Sequence, residues 1–246
     1  MIKIIPGDSW VTLVIDRPER RNALTNAMYT DLDLALQSAQ AEAGCNAIIL
    51  TGSGGHFTAG NDLSEFQTER AAGDSPALAF LRTLAGIDVP VIAAVEGRAV
   101  GVGVTLLQHC DFVYAGADAL FSLPFVSLGL CPEGGSSLLM MQMAGSRRTA
   151  EWLLLGKPFT AQEAQDSGFI TAVTPPGLAL DHANTIAAQL AAQPAQALRS
   201  SKRILRQAGK AALDRAFDAE RDLFTERLRS EEAQAAFRQF FERKKK

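Results

Sequence analysis

The sequence predicts an α/β protein of alternating strands and helices, closed by an all-helical end. Three observations carry that reading. Short β-branched or apolar runs of strand length recur at 10–16, 47–51, 91–95 and 112–115. Between them lie stretches whose apolar residues repeat every three or four positions. Beyond residue 176 the strand-like runs stop, and the chain becomes rich in Ala, Leu, Gln, Arg and Glu.

Trp10 to Asp16 reads as a strand, ended by Arg17-Pro18-Glu19-Arg20-Arg21, a proline inside a charge cluster. Thr25 is placed to cap a helix whose inward face holds Met28, Leu32, Ala35, Leu36 and Ala39. Ala47 to Thr51 is apolar almost throughout and bounded by Gly52, the pattern of a buried strand. A helix over Pro76 to Gly86, a strand at Val91 to Val95, a glycine-rich turn into a helix at Gly101 to His109, and a strand at Phe112 to Ala115 follow. After a last apolar run, Phe169 to Val173, the group Pro175-Pro176-Gly177 marks the expected boundary between a first domain, 1–176, and a helical region, 177–246. Helices are expected there over 179–192, 195–208, 212–229 and 231–242, punctuated by Pro194 and Gly209. Their apolar residues, among them Leu198, Ile204, Leu205, Leu213, Phe217, Leu223, Phe224 and Leu228, require a partner surface, from the first domain or from a neighbouring subunit.

With 246 residues, 47% of them hydrophobic, the chain can bury a sizeable core. A net charge of -3 argues against a surface built for nucleic acid. No window reaches the ~18 apolar residues of a membrane span, and the first residues lack the basic-then-apolar pattern of a signal peptide. The last three residues are lysines rather than a Ser-Lys-Leu address, so the cytoplasm is the expected compartment. Cys45, Cys110 and Cys131 are too far apart for a zinc site or a redox dithiol and read as packing residues. His56, His109 and His182 show no mutual metal-ligand spacing, and His109 is expected to pack against a strand. No metal is expected.

Three segments carry chemistry. In Phe57-Thr58-Ala59-Gly60-Asn61-Asp62-Leu63, Gly60 lets the backbone approach a ligand and the Asn61 amide can point at it. In Gly97-Arg98-Ala99-Val100-Gly101-Val102-Gly103-Val104-Thr105, a glycine turn opens a helix, where unpaired N–H groups gather. It is not a dinucleotide fingerprint, because Leu106 stands where the third glycine belongs. In Ser127 to Ser137, Glu133 sits between Pro132 and the pair Gly134-Gly135; alone, such a glutamate reads as a favourable charge before a helix. Ser136 and Ser137 lack a nucleophile elbow and are expected to cap that helix, Met140, Met141 and Met143 to line the core or an acyl pocket, and Arg147 and Arg148 to face solvent.

Taken in order, Arg17 to Leu24, Phe57 to Leu63, Ala94 to Gly103, Cys110-Asp111 and Leu128-Gly129 resemble the crotonase (enoyl-CoA hydratase/isomerase) superfamily, over nearly the whole chain. The resemblance implies a spiral core of stacked ββα turns and a helical C-terminal region that builds homotrimers, often paired into hexamers. It also implies an acyl-CoA thioester as substrate, with no cofactor beyond the coenzyme A of the substrate itself. The two backbone amides that hold the thioester oxygen in that family fall on Asn61 and Val102, the latter between Gly101 and Gly103. Preorganised amides suit the task, because taking a proton alpha to a thioester places negative charge on its oxygen.

By the same resemblance Arg21 meets the nucleotide phosphates, and Thr58, Ala59 and Gly60 form the adenine-facing loop, with Ala23, Asp62 and Leu63 beside them. The terminal Phe240, Phe241, Arg243, Lys244, Lys245 and Lys246 are placed to close over the nucleotide or to fray as a basic tail. The hydratases of the family set two glutamates around a water, and here those positions hold Thr105 and Phe125. The branch that resembles 3,2-enoyl-CoA isomerases carries its carboxylate where Glu133 stands. Phe125, Leu123 and Leu130 are expected to make an apolar pocket around it. The leading expectation is therefore isomerisation of a 3-enoyl-CoA through Glu133. An enoyl-CoA hydratase, or a non-catalytic CoA-ester binding protein, is the alternative.

Overall fold

The computed structural model describes residues 1–67 and 73–243. Lys244, Lys245 and Lys246 of the expected basic tail lie outside them.

β1 (Ile2–Pro6) and β2 (Trp10–Ile15) form an antiparallel hairpin. From there the sheet grows only by parallel neighbours: β3 (Ala47–Gly52), β4 (Val91–Val95), β6 (Phe112–Gly116) and β9 (Ala172–Thr174), in the order β1-β2-β3-β4-β6-β9. Helices cover both faces of this sheet, which is why β3 and β4 are continuous apolar runs rather than alternating ones.

Alternate residues of those strands serve different partners. Ile48, Leu50, Val91 and Ala93 join the main core with Leu32 and Leu36 of α1 (Asn26–Ala41) and Leu81 and Leu84 of α2 (Pro76–Gly86). Ala47, Ile49, Ile92 and Ala94 turn the other way, onto Ala179, Ala183 and Ala187 of α6 (Ala179–Ala191). Alanines at every fourth position make a smooth strip that lets this helix lie close to the sheet. Its first turn is held by Glu96, whose carboxylate accepts from the backbone of Gly177 (3.0 Å) and Ala179 (2.9 Å).

The second, smaller sheet pairs β5 (Arg98–Val100) with β7 (Leu120–Ser122) and β7 with β8 (Phe159–Thr160). The chain therefore repeats one turn: a strand in the large sheet, a strand in the small one, then a helix. β4 and β5 lead to α3 (Val102–Thr105); β6 and β7 lead to α4 (Ser136–Leu153), which breaks at Gly145. The segment after β3 takes the same course through a parallel bridge between Thr58 and Ala99, before α2. This is the stacked ββα core that the motifs imply. Its open end is closed by α5 (Ala161–Asp166) and a stack in which the rings of Trp152 and Phe159 lie 3.8 Å apart.

The remaining helices are α7 (Ala195–Gln207), α8 (Lys210–Leu228) and α9 (Glu231–Arg243). The sequence asked for one apolar partner surface along this region, and the structure divides it. Phe217, Phe224 and Leu228 of α8 and Phe237 of α9 enter the main core. Ile204 and Leu205 of α7 instead stay 68% and 81% exposed. α7 is attached by charge: Lys202 is buried against Asp111 (2.6 Å), Arg203 and Arg206 pair with Asp88, and Arg199 donates to the carbonyls of Gln40, Glu42 and Cys45 at the end of α1. Gln40 O is an orphan acceptor of the helix C-terminus, and the Glu42 and Cys45 carbonyls lie in the turn that follows, so one guanidinium satisfies all three.

Candidate active site

The loop Arg17 to Leu24 turns through two left-handed residues, Arg21 (φ 50°) and Asn22 (φ 60°). Asparagine tolerates this conformation because its short amide bonds locally. Asn22 is fully buried; its side chain donates to Ser53 O (2.8 Å) and His56 O (2.7 Å) and accepts from Arg17 N (2.9 Å), while its carbonyl accepts from the Thr58 hydroxyl (2.6 Å). Residues 57–62 are thereby sewn between this loop and β5. Thr58 pairs with Arg98 and Val100 on one side; Ala59 N meets Arg21 O, and Gly60 O and Asp62 N meet Leu24 on the other.

That alternation sets the direction of the next amide. The neighbours of Asn61 bond to Leu24, so its own N–H faces the β5 side, as alternate peptides of an extended strand do. Gly60, at φ 85°, brings the two backbones together: a Cβ there would lie 2.6 Å from Val100 O. Gly101 then turns with φ 56° and ψ −117°, a glycine conformation, and opens α3 at Val102. A Cβ on Gly103 would lie 2.5 Å from Thr58 Cγ2, so α3 rests directly on the 57–61 segment. Neither the Asn61 N–H nor the Val102 N–H has an acceptor among the described residues. Val102 is 0% exposed. A buried amide without a partner costs about 1–3 kcal/mol, so the Val102 N–H is available to an acceptor from outside the chain.

Asn61 and Glu133 line the same cavity, of about 630 Å³, together with Asn26, Glu65, Phe66, Leu78, Phe217, Glu220 and Phe224. That volume suits a small-molecule ligand. The Thr105 hydroxyl donates to Glu133 Oε1 at 2.6 Å. His109 lies beneath the same turn rather than against a strand: Nε2 meets Gly134 O at 2.8 Å and the ring stacks on Phe217, 5.5 Å between centroids. Burial pushes its imidazole down to about 4, so it is neutral at physiological pH and carries its proton on Nε2.

Other expectations land differently. Phe125, Leu123 and Leu130 pack in the main core and are not among the described residues of the cavity wall, whose apolar side chains are instead Phe66, Leu78, Phe217 and Phe224. The three core residues follow strand and turn positions that point inward, which proximity in sequence to Glu133 does not reveal. Ser136 and Ser137 do not cap α4 with their side chains; the cap position is Gly135, and the Glu220 carboxylate takes the free amides. Met140 is core, Met143 packs against it, and Met141 is exposed. Arg147 and Arg148 face solvent.

Arg21 is exposed and Ala23 half-buried, with Thr58, Ala59, Gly60, Asp62 and Leu63 on the adjoining segment. Asp62 is held by Arg17 (2.7 Å) and Ser64; burial opposes its charge, but those hydrogen bonds outweigh it and keep the carboxyl below the ordinary range. Burial pushes the thiols of all three free cysteines up, which disfavours a thiolate nucleophile. No group of three or more His, Cys, Asp or Glu among the described residues could hold a metal, and no described helix is long and apolar enough to cross a membrane.

Sequence reasoning missed six contributors to the site. Tyr29, on the inward face of α1, donates its hydroxyl to Asn61 Oδ1 (2.7 Å); a buried tyrosine needs a partner, and that was the available signal. Asn26 and Glu65, joined at 2.8 Å, and the α8 residues Phe217, Glu220 and Phe224 carry no local signal, because the tertiary fold alone brings them to the cavity.

Asn61 and Glu133 share a cavity beside the glycine turn that opens α3, and the chain belongs to the enoyl-CoA hydratase/isomerase family of the crotonase superfamily, whose profile matches residues 8–246. It is an acyl-CoA-processing enzyme of that family. Among its relatives, the 2,3-dehydroadipyl-CoA hydratase of Escherichia coli is 35% identical over 216 residues, covering 87% of this chain and 84% of that one. Enoyl-CoA delta isomerase 2 of Rattus norvegicus is 36% identical over 251 residues, covering 99% of this chain; the chain spans 64% of the length of the rat protein. In three dimensions an enoyl-CoA hydratase/isomerase from Pseudoalteromonas atlantica superposes with a TM-score of 0.93 at 34% identity, covering 98% of this chain and 97% of that one.

Proposed function

We propose that the protein isomerises 3-enoyl-CoA to 2-trans-enoyl-CoA, with Glu133 as the single proton carrier. The thioester oxygen lies between the Asn61 and Val102 amides, and Glu133 removes a proton from C2. The electron pair moves into an enolate whose negative oxygen the two amides stabilise. Collapse of the enolate shifts the double bond to C2–C3, and the same carboxyl returns the proton at C4. Reactant and product differ only in where that proton and the double bond lie. Arg21 and the Thr58 to Gly60 backbone face the nucleotide end of CoA in this reading, where a guanidinium fork suits phosphate.

One observation carries the preference for isomerisation over hydration. Thr105, which stands where the resemblance sets a hydratase glutamate, spends its hydroxyl proton on Glu133. A threonine does not exchange protons near neutral pH as a carboxylate does. Glu220, another carboxylate on the cavity, is already bound by two backbone amides. The hydratase relative keeps the competing reaction in view, and one experiment separates the two. Purified protein given a 3-enoyl-CoA is expected to raise the absorbance of the conjugated thioester, and given crotonyl-CoA to leave it unchanged. Rapid loss of crotonyl-CoA absorbance would assign hydration, and binding of both thioesters without turnover of either would assign a binding protein.

The same reading includes a homotrimer or a pair of trimers, supported by the apolar residues Ile204, Leu205 and Leu223 left exposed on the C-terminal helices. Sedimentation equilibrium is expected to give three or six times the chain mass; a monomer at micromolar concentration would remove this part.

A further inference from the structure

We infer that Glu220, on α8, is a positioning residue that fixes the Glu133 turn from the C-terminal region; the inference rests on the proposed role of Glu133. Glu220 is buried, yet among the described residues it meets no cation. Oε2 accepts from Gly135 N at 2.6 Å and Oε1 from Ser137 N at 2.8 Å. Both donors are free amides at the start of α4, where the helix dipole also favours a negative charge. They belong to the turn that begins at Glu133.

The turn has little freedom of its own to resist displacement. Gly134 and Gly135 are both left-handed, at φ 76° and 77°, a conformation that glycines leave as easily as they enter. It is gripped from below by His109, at the Gly134 carbonyl, and by the Ser136 hydroxyl, at the Glu133 carbonyl. α8 meets it as well, beside Thr105 and Leu81, which pack on Gly134: a Cβ on Gly135 would lie 2.5 Å from Leu213 Cδ1, and Glu220 bonds the two amides. Two charge-assisted bonds to successive peptides fix both the height and the rotation of the loop. The carboxylate of Glu133 is then held at one place relative to the Asn61 and Val102 amides. Glu220 shares the cavity wall, but with both oxygens occupied it anchors the base rather than moving a proton.

The test is a double-substitution cycle of Glu220→Ala and Glu133→Asp on the full chain, read as kcat and KM for a 3-enoyl-CoA. Glu220→Ala alone is expected to lower kcat by on the order of 10–10²-fold, as a small misplacement of a reacting group does, with KM changed by less than about threefold. Glu220→Gln, which keeps one carbonyl acceptor, recovers part of the rate. In the Glu133→Asp background, where the base is already displaced, adding Glu220→Ala costs less than about threefold. Wild-type kcat in Glu220→Ala, or the same loss in both backgrounds, overturns the inference. Should circular dichroism show Glu220→Ala unfolded, the cycle is run with Glu220→Gln and judged by the same two outcomes. Full turnover by Glu133→Gln, measured with Glu220 intact, removes instead the proposed role of Glu133.

Discussion

Replacing Glu133 by glutamine is expected to lower kcat for 3-enoyl-CoA isomerisation by ~10²–10⁴-fold, the contribution of a positioned general base. Glutamine has nearly the same shape, and its carbonyl oxygen still accepts the hydrogen bond from Thr105. The turn, anchored at Gly134, Gly135 and Ser136 through other groups, has no reason to move. The loss therefore falls on kcat, with KM and thermal stability close to wild type. Proton exchange at C2, followed by incorporation of deuterium from solvent, is expected to disappear with turnover. A glutamine variant that keeps its rate within about tenfold would mean that another group carries the proton.

The second large effect is expected from Val102→Pro, which deletes the second amide of the proposed oxyanion site. Removing a donor of this kind costs on the order of 10²–10³ in rate. The first position of a helix tolerates proline, whose missing N–H has no intrahelical partner there. Gly101, before it, holds φ 56° and ψ −117°, the mirror image of the extended conformation that proline imposes on its predecessor, and glycine adopts either hand. The Val102 side chain is buried, so some stability goes with it, and melting must be followed alongside the kinetics. A folded variant with unchanged kcat would show that the Val102 amide does not face the reacting oxygen. Substitution at Asn61 tests the partner amide less cleanly, because its side chain also accepts the Tyr29 hydroxyl.

Most elements were legible because their signals are local. The α1 face of Met28, Leu32, Ala35, Leu36 and Ala39 is buried as its spacing requires, and Thr25 caps the helix. Val91 to Val95 is a strand with the bounds its composition suggests, since a run apolar on both faces fits only between two layers. Gly60, Gly101 and Gly103 stood out for the same reason: close approach at Gly60 and Gly103, and a positive φ at Gly101, leave a requirement for glycine at single positions, and that requirement is visible in the sequence.

The charged face of α7 was less legible. Helical spacing of Leu198, Ile204 and Leu205 suggested an apolar seam, whereas Lys202, Arg203 and Arg206 make the attachment, through Asp111 and Asp88 far away in the chain. Phe125 and Leu130 stand close to Glu133 in sequence and pack in the core, because a tight turn separates neighbours as readily as it joins them. The sequence by itself determined the strand and helix order, the glycine turns and the kinds of group available for chemistry, since each depends on residues within a few positions. Only the tertiary structure decided that Asn61 and Glu133 share a cavity, that Tyr29 steadies one and Thr105 contacts the other, and that Glu220 reaches back from α8 to the turn after Glu133. Those contacts join segments far apart along the chain, and their geometry follows from the packing of whole layers, which no local pattern encodes.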